Sequence, residues 1–463
     1  MTQIATPIFV LGILGLFLLD RDFKVRTSSA LWIPIIWTLI AASRPVSMWL
    51  NYAPAQSAEE VMDGSPVDRN VFLVLLVLGV GVILKRKPRV RKLLRGNAPL
   101  LGFFIYCSIS VVWSEYPLVA SKRLIKFIGD LVMVLIVLTD RDPREAFDRF
   151  LARLSFILIP ISILLIKYYP DIGRGYDRWT YKPIYIGVTY NKNLLGMVCL
   201  ILGVSMGWRF IKALRGENGI RQKGPAIACG VIVAMVLWLL SIAHSATSQS
   251  CFYMGIVVVI LASIRGVARR PVIVHLTALT MVSVAFAALF LDLGSGLVET
   301  LGRDSTLTGR TELWQRIMGM NGNVLLGRGF DSFWLGERLA ALWKIYWWQP
   351  NEAHNGYIEV FLNLGLVGVG FLIALIGKGY RQAADGIRRG RIEGGVMLAY
   401  VVIAIAYNFT EAAFKMLSPI WLFFLLAVLG IPKRAVQAGS VRVSQGEATP
   451  LLATASRWDL EGA

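Results

Sequence analysis

Apolar runs of near-membrane length recur along almost the whole chain, and no other feature limits the fold so strongly. Stretches with few charges fall at about 4–19, 30–50, 71–84, 98–113, 124–138, 154–168, 193–208, 225–243, 251–264, 272–292, 357–376, 396–411 and 418–431. A helix needs about 20 such residues to cross a bilayer, where every backbone polar group must be satisfied within the segment. Of the 463 residues 56% are apolar and 17% charged, against about 25% charged in an average soluble domain. A soluble enzyme, a disulfide scaffold and a disordered chain are thereby excluded. The expectation is an all-α polytopic membrane protein with 12–13 transmembrane helices. Residues 1–292 would hold helices 1–10, 293–356 one large outer loop, 357–431 helices 11–13, and 432–463 a polar, disordered cytoplasmic tail. The start has neither a basic n-region nor an A-x-A site and reads as the first membrane helix. Cys107, Cys199, Cys229 and Cys251 lie in apolar runs and read as small packing residues.

Net charge is +19, and its distribution sets orientation. Alternate loops carry 31 and 15 Lys and Arg, and Arg44 and Lys126 lie within spans. The richer set, including KRKPRVRKLLRGN at 85–97, is read as cytoplasmic. This puts the N-terminus outside and the C-terminus inside. Yet the outer segments are not poor in cations: Lys122, Arg123 and Lys126 stack at one helix start, Lys167, Arg174, Arg178, Lys182 and Lys192 lie in 167–192, and Arg310 is one of six in 293–356. Cations kept on that side suggest a bound anion. Arg44, before Pro45, reads as snorkelling.

Of three histidines, His275 reads as a packing residue, His244 opens a short turn and stays open, and His354 stands where the large loop enters a helix. Asn355 is a good N-cap, so the helix N-terminus beside His354 is expected to present free N–H groups to an anion. A histidine of ordinary pKa, about 6.5, would serve there as general base to a sugar hydroxyl or orient it; the alternative is a histidine that satisfies loop backbone. The loop aromatics Trp314, Phe330, Phe333, Trp334, Trp343, Tyr346, Trp347 and Trp348 would pack the loop or stack on sugars. Gly365, Gly368 and Gly370 read as helix-contact glycines. The outer loops hold no D-x-D or His-rich cluster with metal-ligand logic, and the chain has no phosphate-binding G-x-x-x-x-G-K-[ST], so no metal or cofactor is expected.

His354-Asn355, nine residues and Gly365-Leu-Val-Gly368 resemble the H-[NSQ]-x9-G-x-x-G signature of the O-antigen ligase and Wzy-type polymerase superfamily. VVWSEYPLVASKRL (111–124), GVTYNKNLLG (187–196), HSATSQS (244–250) and LTGRTELWQ (307–315) are similar to its exopolysaccharide polymerase branch. The resemblance implies a GT-C-like, metal-independent glycosyltransferase of the bacterial inner membrane, joining undecaprenyl-diphosphate-linked repeat units at the periplasmic face with inversion. It implies His354 and Arg310 as catalytic residues, with Arg310 on the diphosphate. The second phosphate ligand stays open among Lys192, Arg178, Arg123 and Lys126, with Asn355, Glu352, Asn191 and Asn193 in support. Partners would be the lipid-linked glycan, membrane lipid, a flippase and a chain-length regulator, and no nucleic acid. A ligase moving finished glycan to lipid A core or protein shares the motif. A transporter or flippase of lipid-linked glycans would suit the span count but not the large loop.

Overall fold

In a computed structural model the described residues are 2–21, 27–52, 57–177, 180–216, 221–268, 270–290 and 306–432. Arg178 and the expected tail at 433–463 lie outside them. Each of the thirteen apolar runs carries a helix. Seven of these helices are long and apolar enough to cross a membrane: Thr2–Leu19, Pro66–Lys85, Pro143–Tyr168, Lys192–Arg215, Lys223–Ala243, Ala246–Ser263 and Gly356–Arg388. Pro117–Leu138 has 22 residues but includes Lys122, Arg123, Lys126 and Asp130. The remainder, among them Gly394–Tyr407 and Pro419–Leu429, are shorter. The one sheet among the described residues is a two-stranded ribbon, Arg174–Tyr176 paired antiparallel with Pro183–Tyr185. The protein is an all-α polytopic membrane protein.

Helices Pro143–Tyr168 and Lys192–Arg215 are 78% buried over their apolar windows, whereas Thr2–Leu19 and Pro66–Lys85 are 11% and 17% buried. The first pair forms the centre and the second pair faces outward, as lipid-facing helices do. Helix contact in lipid depends on close packing rather than on a hydrophobic drive. Here Gly129 leaves room for Trp37, whose ring atoms stand 2.3 Å from where a Cβ would be, and Phe127 stacks on Trp421 at 5.0 Å. His275 meets the Tyr380 hydroxyl, as a packing residue would.

Ion pairs gather at the two ends of the bundle. Asp20–Arg209, Lys212–Asp148, Arg86–Asp140 and Arg144–Glu393 join loops of the cation-rich set. Arg123–Asp331 and Arg310–Glu411 join loops of the other set, and Lys192–Asp177 closes one of them. The basic run at 85–97 forms the helix Lys87–Arg95, turned 98° from the helix that follows, as a segment lying along headgroups would be.

Two helices depart from the apolar pattern. The 30–50 run is not one span: helix Trp32–Ala41 stops, and the short helix Val46–Trp49 follows. Pro45 breaks the backbone there. Arg44 does not snorkel; it donates to the carbonyls of Thr189 and Ile172 and lies 5.2 Å from the Trp49 ring. The second departure is in Gly356–Arg388, which is interrupted at Gly365 with φ 63° and ψ −166°. The segment 323–328 fills the gap in the helix ladder. Val324 and Leu325 carbonyls accept from Leu366 and Val367 N–H, Arg328 N–H donates to the Leu362 carbonyl, and Tyr106 caps the Leu364 carbonyl. The helix is thus a nine-residue lead, 356–364, followed by a membrane segment. Gly365 is the hinge residue and not a helix-contact glycine, and Gly370 has no atom within 4 Å of a Cβ position.

A Cβ at Gly365 would stand 2.1 Å from the Leu325 carbonyl oxygen and would also require an unfavourable positive φ. Gly365→Ala is expected to abolish or sharply reduce recovery of folded detergent-purified protein, while Gly370→Ala leaves recovery and melting temperature unchanged. Size-exclusion profiles and thermal melts of the two variants read the contrast directly.

Candidate functional site

The site begins with a cap. Asn355 is extended (φ −155°), and its Oδ1 accepts from Tyr357 and Ile358 N–H at 3.0 and 3.1 Å. Its Nδ2 donates to the Phe409 carbonyl at 3.1 Å. Gly356 N–H donates to the carbonyls of Asn408 and Glu411. No side chain fits at 356, since a Cβ there would lie 1.9 Å from Asn408 Oδ1. That same oxygen accepts from Ala413 and Phe414 N–H and so folds the 408–414 turn. The N-cap expected at Asn355 is present, but the helix N-terminus is not an open anion site. Side chain and loop backbone occupy its first N–H groups.

His354 precedes the cap in the left-handed region, φ 49°, a conformation uncommon for a residue with a side chain. Its turn is tied by Trp314, whose Nε1 donates to the Ala353 carbonyl at 2.7 Å, and by Glu359, which accepts from Ala353 N–H and from Trp334 Nε1. Around these contacts Leu313, Ile317, Phe333, Trp334, Leu339 and Tyr346 form a second apolar core. Of the loop aromatics, Phe333, Trp334 and Tyr346 therefore pack the loop, while Trp347 is exposed.

His354 Nδ1 lies 3.1 Å from Glu352 and 3.4 Å from Glu411. Glu352 is paired with Lys415. Glu411 faces Arg310 at 3.6 Å and accepts from Asn193 Nδ2 at 3.4 Å. Arg310 also donates to the Thr410 carbonyl at 2.7 Å, and Thr410 meets Thr247 of the HSATSQS turn. Five charged groups from three stretches of chain thus alternate in one row: Arg310, Glu411, His354, Glu352, Lys415. Desolvation favours neutral imidazole, but hydrogen bonds from the ring to Glu352 and Glu411 outweigh it and raise the His354 pKa to about 9. At neutral pH His354 is therefore imidazolium, not the neutral base that an ordinary pKa would give. Burial opposes ionisation of Glu352 as well, yet Lys415 and His354 hold its carboxyl well below the usual range. Among the described residues Nε2 of His354 has no partner.

The expected site residues separate into two groups. Arg310, His354, Glu352, Asn355 and Asn193 come together. Asn191 caps helix Lys192–Arg215 by accepting from Leu194 N–H at 2.7 Å, which sets Asn193 beside Glu411. Of the candidates for the second phosphate ligand, Lys192, Arg123 and Lys126 do not join them. Lys192 turns to Asp177 at 2.8 Å, Arg123 bonds the Asp331 backbone and carboxylate, and Lys126 lies 6.0 Å from the Phe72 ring. Arg328 and Arg338 share Glu115; hydrogen bonds from Arg338, the largest influence, hold that carboxyl below its usual range. Arg123, Lys192, Arg328 and Arg338 are thus each held by a carboxylate of the protein. Sequence reasoning missed Glu411, Lys415 and Asn408, all in the turn between helices Gly394–Tyr407 and Pro419–Leu429. An ionisable residue at the end of an apolar run was the available signal.

Ligand atoms of Glu352, His354 and Glu411 lie within 4.8 Å of one another, a spacing a divalent cation could use. Lys415 and Arg310 already stand against the two carboxylates, and Nδ1 is engaged with both, so we read the group as an ion-pair row.

The chain is similar to an exopolysaccharide production protein. It is 27% identical over 290 residues to the exopolysaccharide production protein ExoQ of Rhizobium meliloti (strain 1021), covering 60% of this chain and 64% of that protein. The chain thus matches less than two thirds of its relative. A shorter similarity, 27% over 126 residues, covers 26% of this chain and 53% of a membrane protein of Breda virus 1. No protein-family model matches.

The His354 pKa has a consequence for stability. It is raised from about 6.5 in the unfolded chain, so its stabilising contribution is complete below pH 6.5 and is lost as pH rises through about 9. Thermal melts of purified protein should show the melting temperature falling between pH 7 and 9.5 by on the order of a few degrees. His354→Gln should show a smaller fall over that window.

Proposed function

We propose that the protein is an exopolysaccharide polymerase of the bacterial inner membrane. It joins undecaprenyl-diphosphate-linked repeat units at the periplasmic face, with its N-terminus outside and its C-terminus in the cytoplasm. The observation that carries this reading is the row in which His354, held as a cation, stands between two carboxylates with Arg310 at one end, on the end of the bundle poorer in cationic loops. The similarity to an exopolysaccharide production protein supports the pathway. The cation count of the loops supports the sidedness.

A hydroxyl of the incoming unit attacks the anomeric carbon of the growing chain. The new glycosidic C–O bond forms as the bond to the diphosphate oxygen breaks, with inversion. Diphosphate is a good leaving group, so its departure needs charge stabilisation more than strong acid catalysis. Arg310 supplies a planar, permanently charged donor. His354, already protonated, offers Nε2–H to a substrate oxygen and aligns the reactants. The proton of the attacking hydroxyl goes to a carboxylate of the row, and from there to solvent.

Purified Arg310→Ala and His354→Ala proteins, given a single lipid-linked repeat unit, should elongate it at least about 100-fold more slowly than wild type. Wild-type rates in either would refute the site. A ladder of products from one substrate supports the polymerase, whereas a single transfer to another acceptor supports a ligase. The pH dependence is a separate measurement. Turnover should decline as pH passes about 9, where the imidazolium loses its proton between Glu352 and Glu411, with Arg310 and Lys415 behind them. A rise through about pH 6.5 would instead indicate a neutral histidine base.

A further inference from the structure

We infer that Lys415 is the second cationic ligand of the substrate diphosphate, placed across His354 from Arg310; this rests on the functional reading above. The row contains three cations and two carboxylates, in the order Arg310, Glu411, His354, Glu352, Lys415. It therefore has one positive charge in excess, and its cations occupy the first, third and fifth places. A diphosphate has oxygens on two phosphorus centres and can bridge such alternate positions. Two of the other candidates are engaged elsewhere, Lys192 with Asp177 and Arg123 with Asp331, and neither acidic partner touches the row. Lys126 lies against Phe72.

The turn that carries Lys415 is fixed on both sides. Asn408 Oδ1 holds Ala413 and Phe414 N–H, and Asp130 Oδ2 accepts from Leu417 N–H at 2.9 Å. Between these anchors the Lys415 side chain is 49% exposed. Its ammonium is a mobile point charge on a flexible stem, and it can exchange part of its contact with Glu352 for a phosphate oxygen without unfolding the turn. Glu352 keeps His354 as a partner when that happens.

The test is binding of undecaprenyl diphosphate to the full-length protein in detergent. Lys415→Gln should weaken binding by tenfold or more and Lys415→Arg by only a few-fold, while Lys192→Gln should bind like wild type. Because Lys415→Gln leaves Glu352 with one partner fewer, the double variant Glu352→Gln/Lys415→Gln separates the two roles. Weak binding in the double variant supports direct contact. Binding restored to the wild-type level shows that Lys415 only neutralises Glu352, and overturns the assignment. Loss of binding in Lys192→Gln with Lys415→Gln unaffected also overturns it. If Arg310→Ala loses binding and Lys415→Gln does not, the assignment falls while the functional reading stands. If wild-type protein does not bind the lipid, the functional reading itself falls, and the assignment with it.

Discussion

Two carbonyls, those of Asn408 and Glu411, close on the single N–H of Gly356, and the position of every charged group in the row depends on that closure. A helix start and the turn between two later apolar helices satisfy each other here. Asn355 caps its own helix and bonds the Phe409 carbonyl, while Asn408 folds the 408–414 turn. Buried backbone groups left open would cost about as much as lost hydrogen bonds. The closure therefore brings Glu411 to His354 as part of completing the fold.

Electrostatics within the site follow from that placement. A histidine between two carboxylates remains charged, and each carboxylate has a further cation on its far side. The result is a row of alternating sign in which no single charge is isolated, which limits the penalty of holding charges away from water. Elsewhere on the same end of the bundle, Glu115, Asp177 and Asp331 hold Arg328, Arg338, Lys192 and Arg123. Those cations dock loops. SEYP, in which Glu115 lies, works mainly as the seat of the large loop: Ser114 meets Ser332, and Trp113 donates to the Leu326 carbonyl.

Helix positions were legible in the sequence because apolar length is a local property, and each of the thirteen runs carries a helix. Breaks within them were less legible. Pro45 was a visible signal for the division of 30–50, whereas the break at Gly365 depends on a loop backbone, 323–328, whose approach no hydropathy pattern reports. His354, Asn355 and Arg310 could be singled out from residue type and spacing. Glu411 and Lys415 could not, because 57 residues separate Glu411 from His354 and only the Gly356 closure joins them. The charge of His354 was misjudged for the same reason: an ordinary pKa applies to a histidine without carboxylate neighbours, and both neighbours arrive through tertiary structure. Whether an outer cation binds ligand or docks a loop likewise depends on its partner, which sequence does not show.

The interval between Asn355 and Gly365 acquires a geometric meaning from the helix break. Nine residues make two and a half turns, so the count sets the rotational phase between the cap, beside which His354 stands, and the point where the segment 323–328 grips the chain. One inserted residue would turn the cap through about 100° and shift it about 1.5 Å along the axis. His354 would then leave the row while every hydrophobic face of the membrane segment beyond Gly365 stayed in place. The two ends of this interval are thus tied by angle as well as by distance. The lead helix acts as a spacer of fixed pitch, and variation in length is accommodated more easily in the loops on either side.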